Sequence, residues 1–472
     1  MAASARPLSI DEALQEAQQQ HVAMQNGTVG AKESAESLFN FLIDLVPDDP
    51  MIQYAYGTFL LDIGRIGLSI HLLRASVRGR DDFAAAWNNL GIAFMKRGMY
   101  KEARPVYLKA LELSGPDVSA MINLGTCCME AGDIENSLKW FEFAAELEPD
   151  NHEVLWNRAQ LFLSLKRFAE GWDGYDIGSV AEKKKRAPRS YHQAGEPEHP
   201  FWEGEPGKHI VVWGEQGVGD EVMFASCLPD AIEKCARVTF DCHPRLINIF
   251  ERSFPSVKCY PTRKDLEVKW DWPKGTPPID ARIAIGSLPR LFRRTEDAFP
   301  GTPYLKADPK LVARYRDKSK FRVGIGWIGG SKITKQDRRS IPLDMWGPIL
   351  RVPGVEFVSL QYTADAKEQA EEAARQFNAT ILHDQEMIDD LDLQFGCIAG
   401  LDLVIAVNTS AVHFSGSLGT KVMTLTPKNP TWRYASDPMP WYRSVEILRQ
   451  DVPNDWRDPI ERAGVKLIDA RC

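Results

Sequence analysis

The sequence predicts an all-α repeat superhelix followed by an α/β region of two doubly wound lobes, and three observations carry that prediction. The first third of the chain repeats itself with a period of 34 residues. A stretch rich in Pro, Gly and charge then interrupts the pattern from about residue 179. Beyond it, short Val/Ile-rich runs alternate with helical patterns, the arrangement that gives parallel sheets covered by helices on both faces. At 472 residues the chain exceeds one ordinary core, and a composition 44% apolar and 26% charged is that of a globular protein able to bury several.

The clearest copies of the repeat are WNNLGIAFMKRGMYKEARPVYLKALELSG from Trp87 and MINLGTCCMEAGDIENSLKWFEFAAELEP from Met121. Leu90 and Gly91 recur as Leu124 and Gly125, and Tyr107 and Ala110 recur as Phe141 and Ala144. Earlier periods supply Gly57, Ala35 and Pro47; later ones supply Pro149, Ala159, Phe168 and Tyr175. This pattern resembles the tetratricopeptide repeat, in which small residues let paired helices approach and a large aromatic fills the gap to the next pair. Four to five repeats are expected within 1–178, forming a superhelix whose groove takes an extended peptide. Asn89, Asn123 and Asn157, also 34 apart, place three carboxamides on one face. A carboxamide both donates and accepts, so the three suit the backbone of a protein acceptor; they also suit a common repeat position with no ligand.

Residues 179–207 read as a linker, and its EKKKR run as a solvated basic stretch. The net charge of −8 and pI near 5.7 argue against nucleic acid or an anionic membrane as partner. The N-terminus shows no basic segment followed by an apolar one, and no run of about 18 uncharged apolar residues occurs, so a cytoplasmic chain without a membrane span is expected. The eight cysteines form no Cys-x-x-Cys pair, which implies reduced thiols and no metal site.

Two blocks of strands follow: HIVVW, RVTFDC, VKCY and ARIAIG in 208–310, then FRVGIGW, VEFVSLQ, ATILH, DLVIAV and KVMTLT in 311–450. Residues 451–472 read as a final helix packing back across the lobes. Ligands of such sheets bind beyond the carboxyl ends of the strands. There, IVVWGEQGVGDEVMF (210–224) turns through Gly214, Gly217 and Gly219 into a helix that opens on Asp220 and Glu221. Two carboxylates suit the helix dipole and would repel a phosphate. VIAVNTSAVHFSGSLG instead offers Asn408, Thr409, Ser410 and Ala411 at the start of a small-residue helix carrying His413, a better diphosphate seat, with a plain N-cap by Thr409 or Ser410 as the alternative. IGGSKITKQDRRS adds Gly329, Gly330, Ser331, Lys332, Lys335, Arg338 and Arg339, cationic groups that can stabilise a leaving diphosphate without a metal.

The order of GWDGYD, WGEQGVGDEVMFA, GSLP, GIGWIGGS...DRRSIPL, FVSLQ, LDLVIAVNTSAVHFSGSLGTKV and WYRSVEILRQ over 170–450 resembles glycosyltransferases of GT-B fold, near the ADP-heptose heptosyltransferases and the protein O-GlcNAc transferases. The resemblance implies two Rossmann-like lobes, the first facing the acceptor and the second a nucleotide sugar. It implies an inverting, metal-independent transfer to hydroxyls of a protein acceptor, of the flagellin Ser/Thr kind. It places Asp220, in the Gly219–Asp220 pair, as the base that accepts the hydroxyl proton, with Glu221 and His413 as the next candidates and Gly217 and Gly219 beside the acceptor. Gln361, in FVSLQ, falls on the donor side. The family's VDT reads Val407, Asn408, Thr409 here, which implies either a different sugar, such as an anionic nonulosonic acid spared a like charge, or reduced activity. The rival expectations are a repeat scaffold whose transferase domain has lost its chemistry and a nucleotide-sugar epimerase on the same architecture, which would need no peptide groove.

Overall fold

A computed structural model describes residues 8–183, 199–261, 277–330 and 336–471, the side chains of 177–183 excepted. The chain divides into two compact units, Met1–Arg158 and Ala159–Cys472.

The first unit is built of consecutive helix pairs: Ile10–Gln25 with Ala31–Leu45, Pro50–Asp62 with Ile66–Gly79, Ala84–Lys96 with Tyr100–Ser114, and Val118–Ala131 with Ile134–Leu147. Local chemistry starts several of them. Ser9 and Glu12 form a reciprocal capping box, Asp49 caps a helix whose first residue is Pro50, and Asp117 and Asp133 cap their own. The repeat period is a packing period. A Cβ on Gly91 would lie 2.5 Å from the Tyr107 ring, and one on Gly125 would lie 2.7 Å from the Phe141 ring, so each pair closes only with glycine facing the aromatic. Two periods apart, buried Ser69 and Ser137 donate to Gly57 O (2.7 Å) and Gly125 O (2.8 Å), tying helix to helix at the same register.

The boundary between the units falls inside the helix His152–Ser164, so the last helix in repeat register, Phe168–Lys183, belongs to the second unit. Among its described residues that unit holds two wholly parallel sheets. The first consists of β1 (His209–Trp213), β2 (Arg237–Cys242), β3 (Lys258–Pro261) and β4 (Ala281–Ala284) in the order β3-β2-β1-β4. The second consists of β5 (Phe321–Gly326), β6 (Val355–Ser359), β7 (Thr380–Leu382), β8 (Leu403–Val407), β9 (Val422–Thr426) and β10 (Val445–Arg449) in the order β10-β9-β8-β5-β6-β7. Both are doubly wound orders, with the direction of winding reversing between β1 and β4 and between β5 and β8. Every residue of β6, β8 and β9 is buried, as strands covered on both faces must be.

Three features depart from the sequence reading. β10 was not among the expected strands; it is an edge strand whose single ladder to β9 sets its conformation, and its Glu446 is exposed. Residues 199–207, assigned to the linker on composition, are built into the first lobe: Trp202 is wholly buried, its N–H donates to Arg282 O (2.9 Å), and Arg282 N–H donates to Pro200 O (2.9 Å). The final helix, Arg457–Arg471, lies on the second sheet against β9, β10 and the helix Gly347–Leu350, where a Cβ on Gly464 would meet Pro348 O at 2.5 Å. Residues 184–198 of the linker lie outside the described residues.

Candidate functional site

The loops after β1, β5 and β8 leave their sheets at the two points where the winding reverses, and the helices that follow β1 and β8 meet. Gly219 makes that meeting possible. In the short helix Val218–Phe224 it faces Ser410 of the helix Ser410–Leu418, and a Cβ there would stand 3.2 Å from Ser410 Cα and Cβ and 3.4 Å from the His413 ring. Asp220, one residue on, is therefore held beside the N-terminus of the second-lobe helix.

Asp220 does not cap its own helix, whose N-terminal residue Gly217 provides no side chain to do so. Its Oδ1 accepts from Arg433 Nε at 2.6 Å, and its Oδ2 has no hydrogen-bond partner among the described residues. Arg433 follows β9; its Nη2 donates to Gln216 Oε1 at 2.9 Å and its guanidinium lies 4.5 Å from the Trp432 ring centre. Burial lowers the affinity of that guanidinium for its proton, while Asp220 and Tyr175 oppose the effect, and the balance raises its pKa. Arg433 is a permanent cation, and the one oxygen it leaves free on Asp220 is available to accept a proton.

Glu221 is turned the other way. It is buried, its Oε1 accepts from His243 N–H at 2.7 Å, and a Cβ on Gly214 would strike its Oε2 at 2.2 Å. Its carboxylate ties β1 to the end of β2. His413 is enclosed as well: Nε2 pairs with Tyr434 OH at 2.9 Å and Nδ1 with Tyr442 OH at 3.3 Å. Burial pushes its pKa down to about 4, against the pull of Asp220 and with help from Arg433, so at neutral pH it is an uncharged imidazole bridging two phenols.

On the second lobe, Thr409 precedes the helix Ser410–Leu418 with no side-chain cap, and among the described residues neither the Thr409 nor the Ser410 hydroxyl has a hydrogen-bond partner. Ala411 is buried in the same turn. Two hydroxyls and the free N–H groups of a helix N-terminus thus stand together, an arrangement that favours an anion. Asn408 is buried and faces inward: its Oδ1 accepts from Thr424 Oγ1 (3.1 Å) and Thr426 Oγ1 (3.0 Å). Gly329 lies against this strand end, where a Cβ would meet Asn408 O at 2.8 Å, and Gly330, at φ +74°, accepts from Tyr362 OH at 2.9 Å. Gln361 Oε1 accepts from Trp327 N–H (3.2 Å) and Ile328 N–H (2.9 Å), and its buried Nε2 has no partner among the described residues. Arg338 and Arg339 end the same loop, half-buried. Burial lowers the pKa of Arg339, Tyr434, Tyr362 and Asp220 oppose that, and Arg433 adds to it, so Arg339 stands within reach of the Asp220 and Arg433 charges. Ser331, Lys332 and Lys335 lie outside the described residues.

The asparagines of the first unit face their own array. Asn89 Nδ2 donates to Thr58 Oγ1 (2.9 Å), Asn123 Nδ2 to Asn88 Oδ1 (3.2 Å) and Asn157 Nδ2 to Glu153 O (2.9 Å). The first two link helices of successive repeats.

Sequence reasoning overlooked Arg433, Tyr434 and Gln216. The signal for the first two was WRY, separated by five residues from the buried strand β9; Gln216 carries none, since only its backbone, at φ +62°, sets it apart.

Residues 84–115 and 118–151 each match the tetratricopeptide repeat. The first unit carries tetratricopeptide repeats. Over 450 residues, spanning 90% of this chain and 73% of the relative, the sequence is 29% identical to Protein FlbA of Caulobacter vibrioides. Solved structures resemble it over part of its length: MamA 41-end from Desulfovibrio magneticus RS-1 is 16% identical, covers 39% of this chain and 100% of its own, and has a TM-score of 0.31. PilF of Pseudomonas aeruginosa is 15% identical, covers 48% and 86%, and has a TM-score of 0.34. Tetratricopeptide arrays typically bind protein partners, and no helix among the described residues is long and apolar enough to cross a membrane.

Proposed function

We propose that the second unit is a GT-B glycosyltransferase that moves a sugar from a nucleotide donor to a hydroxyl of a protein held by the repeat array. The observation that carries the reading is Asp220: one oxygen anchored on Arg433, the other without a partner, 213 residues from that arginine in sequence yet beside the anion-favouring turn at Thr409 and Ser410. In the reaction, the acceptor hydroxyl oxygen attacks the anomeric carbon as its proton passes to Asp220 Oδ2. The bond from that carbon to the diphosphate oxygen breaks on the opposite face, which inverts the centre. The charge left on the diphosphate is met by the N–H groups at Ser410, the two hydroxyls, and Arg338 and Arg339. The hydrogen bond from Arg433 orients the Asp220 carboxylate before the hydroxyl arrives.

The test is a thermal-shift panel of UDP-, GDP- and CMP-sugars, because a ligand that binds only the native state raises its apparent stability by mass action. The expected result is stabilisation by one nucleotide class, with release of its nucleoside phosphate. A panel without any shift rejects the reading and favours the second one, a protein-binding scaffold, which the tetratricopeptide repeats themselves support.

A further inference from the structure

We infer that Tyr175, Gln216 and Arg433 form a brace that fixes the Asp220 carboxylate, which makes Tyr175 a positioning residue of the site although it belongs to a helix in repeat register. The inference rests on the reading of Asp220 as the base. Tyr175 follows Tyr107 and Phe141 at intervals of one period. In the earlier repeats the ring at this register packs on Gly91 or Gly125. In the second unit the ring of Tyr175 is buried among Trp172, Phe224 and Trp432, with centroids 5.5, 6.2 and 5.9 Å away. Its hydroxyl accepts a hydrogen bond from Gln216 Nε2.

Gln216 sits at φ +62°, a conformation that a residue with a side chain holds only when its surroundings impose it. Here both ends of the carboxamide are used: Nε2 on Tyr175, and Oε1 accepting from Arg433 Nη2 at 2.9 Å. The guanidinium is then fixed by Gln216, by the Trp432 face and by Asp220 Oδ1, and it meets the carboxylate through Nε, which leaves Oδ2 free. The hydroxyl that distinguishes Tyr175 from Phe141 therefore supports the acid three hydrogen bonds away, through Gln216 and Arg433. Tyr175→Phe would keep the ring packing and lose the hydrogen bond from Gln216. Glycine at 216 would accept the backbone conformation without cost and lose the brace as well.

Two measurements on the full chain decide the matter. In a double-mutant cycle read by urea unfolding, Tyr175→Phe and Asp220→Asn are expected to be non-additive, the double variant losing less than the sum of the single losses. Tyr315→Phe, whose hydroxyl donates to Asp384 at 3.0 Å away from the site, is the control that adds with Asp220→Asn. Additivity of Tyr175→Phe with Asp220→Asn overturns the brace. With the nucleotide sugar that the panel selects, Tyr175→Phe and Gln216→Gly should each lower kcat by about tenfold or more while the donor KM moves less than about twofold, since a small misplacement of a reacting group costs rate rather than binding. Wild-type kcat in both variants, alongside a loss in Asp220→Asn, also overturns it. A wild-type chain that consumes no nucleotide sugar refutes the transferase reading instead, and the cycle alone then decides the brace.

Discussion

Replacing Asp220 with Asn separates the structural from the chemical role of this residue. The carboxamide has the same size, so no cavity opens, and its oxygen can still accept from Arg433 Nε where Oδ1 now does at 2.6 Å. What disappears is charge. A hydrogen bond to a charged acceptor contributes about 1.5–3 kcal/mol and a neutral one about 0.5–1.5, so the expected loss is about 1 kcal/mol. Partial exposure of the pair, 19% and 23% of the two side chains, trims it further. In a unit of this size that is a fall in Tm of about 2 °C. Turnover should fall much further, by about 10²-fold or more, because an amide cannot take the proton from the acceptor hydroxyl. Affinity for the nucleotide diphosphate should hold or improve, since the Arg433 charge is no longer neutralised. Diphosphate-nucleotide release measured by mass spectrometry, with calorimetric affinity and a melting curve on the same preparation, gives all three quantities. A folded variant with turnover within about threefold of wild type would remove Asp220 from the reaction.

Thr409→Val and Arg338→Ala should each weaken nucleotide-diphosphate binding by at least about 1 kcal/mol in calorimetry; unchanged affinity in both places the diphosphate elsewhere. His413 is held neutral with a pKa of about 4, below its unfolded value, so the unfolded chain binds the extra proton. Its contribution to stability is complete above about pH 6.5 and is lost as pH falls toward 4, on the order of 3 kcal/mol in all. Urea unfolding across that window should show the loss in wild type and its absence in His413→Gln. Replacing Asn89, Asn123 and Asn157 together with Ala removes three hydrogen bonds internal to the array, worth about 0.5–1.5 kcal/mol each. The unfolding midpoint of the first unit should drop, and a rise in the protein acceptor's KM at unchanged donor hydrolysis would show that the same amides also face the acceptor.

The repeat was legible because its information is local. Gly91 against Tyr107 and Gly125 against Phe141 recur at a fixed interval, and each contact joins neighbours in sequence. Nine of the ten strands among the described residues announced themselves through short runs carrying Val or Ile; β10 did not, because an edge strand with Glu446 and Arg449 in five residues takes its conformation from β9 rather than from its own pattern. Residue types also marked the loops at the strand ends: glycines, an acidic pair after β1, and hydroxyls after β8. Roles within those loops were beyond local reading. Asp220 and Glu221 are adjacent and chemically alike, yet one meets Arg433 and the other the His243 N–H, because neighbouring helix positions point about 100° apart into different tertiary surroundings. Arg433 lies 213 residues from Asp220 and 217 from Gln216, and only the closure of two sheets around Gly219 and Ser410 brings the three together. Short-range periodicity specifies elements; which side chains share a site is settled by the packing of elements far apart in the chain, and that packing is a tertiary property.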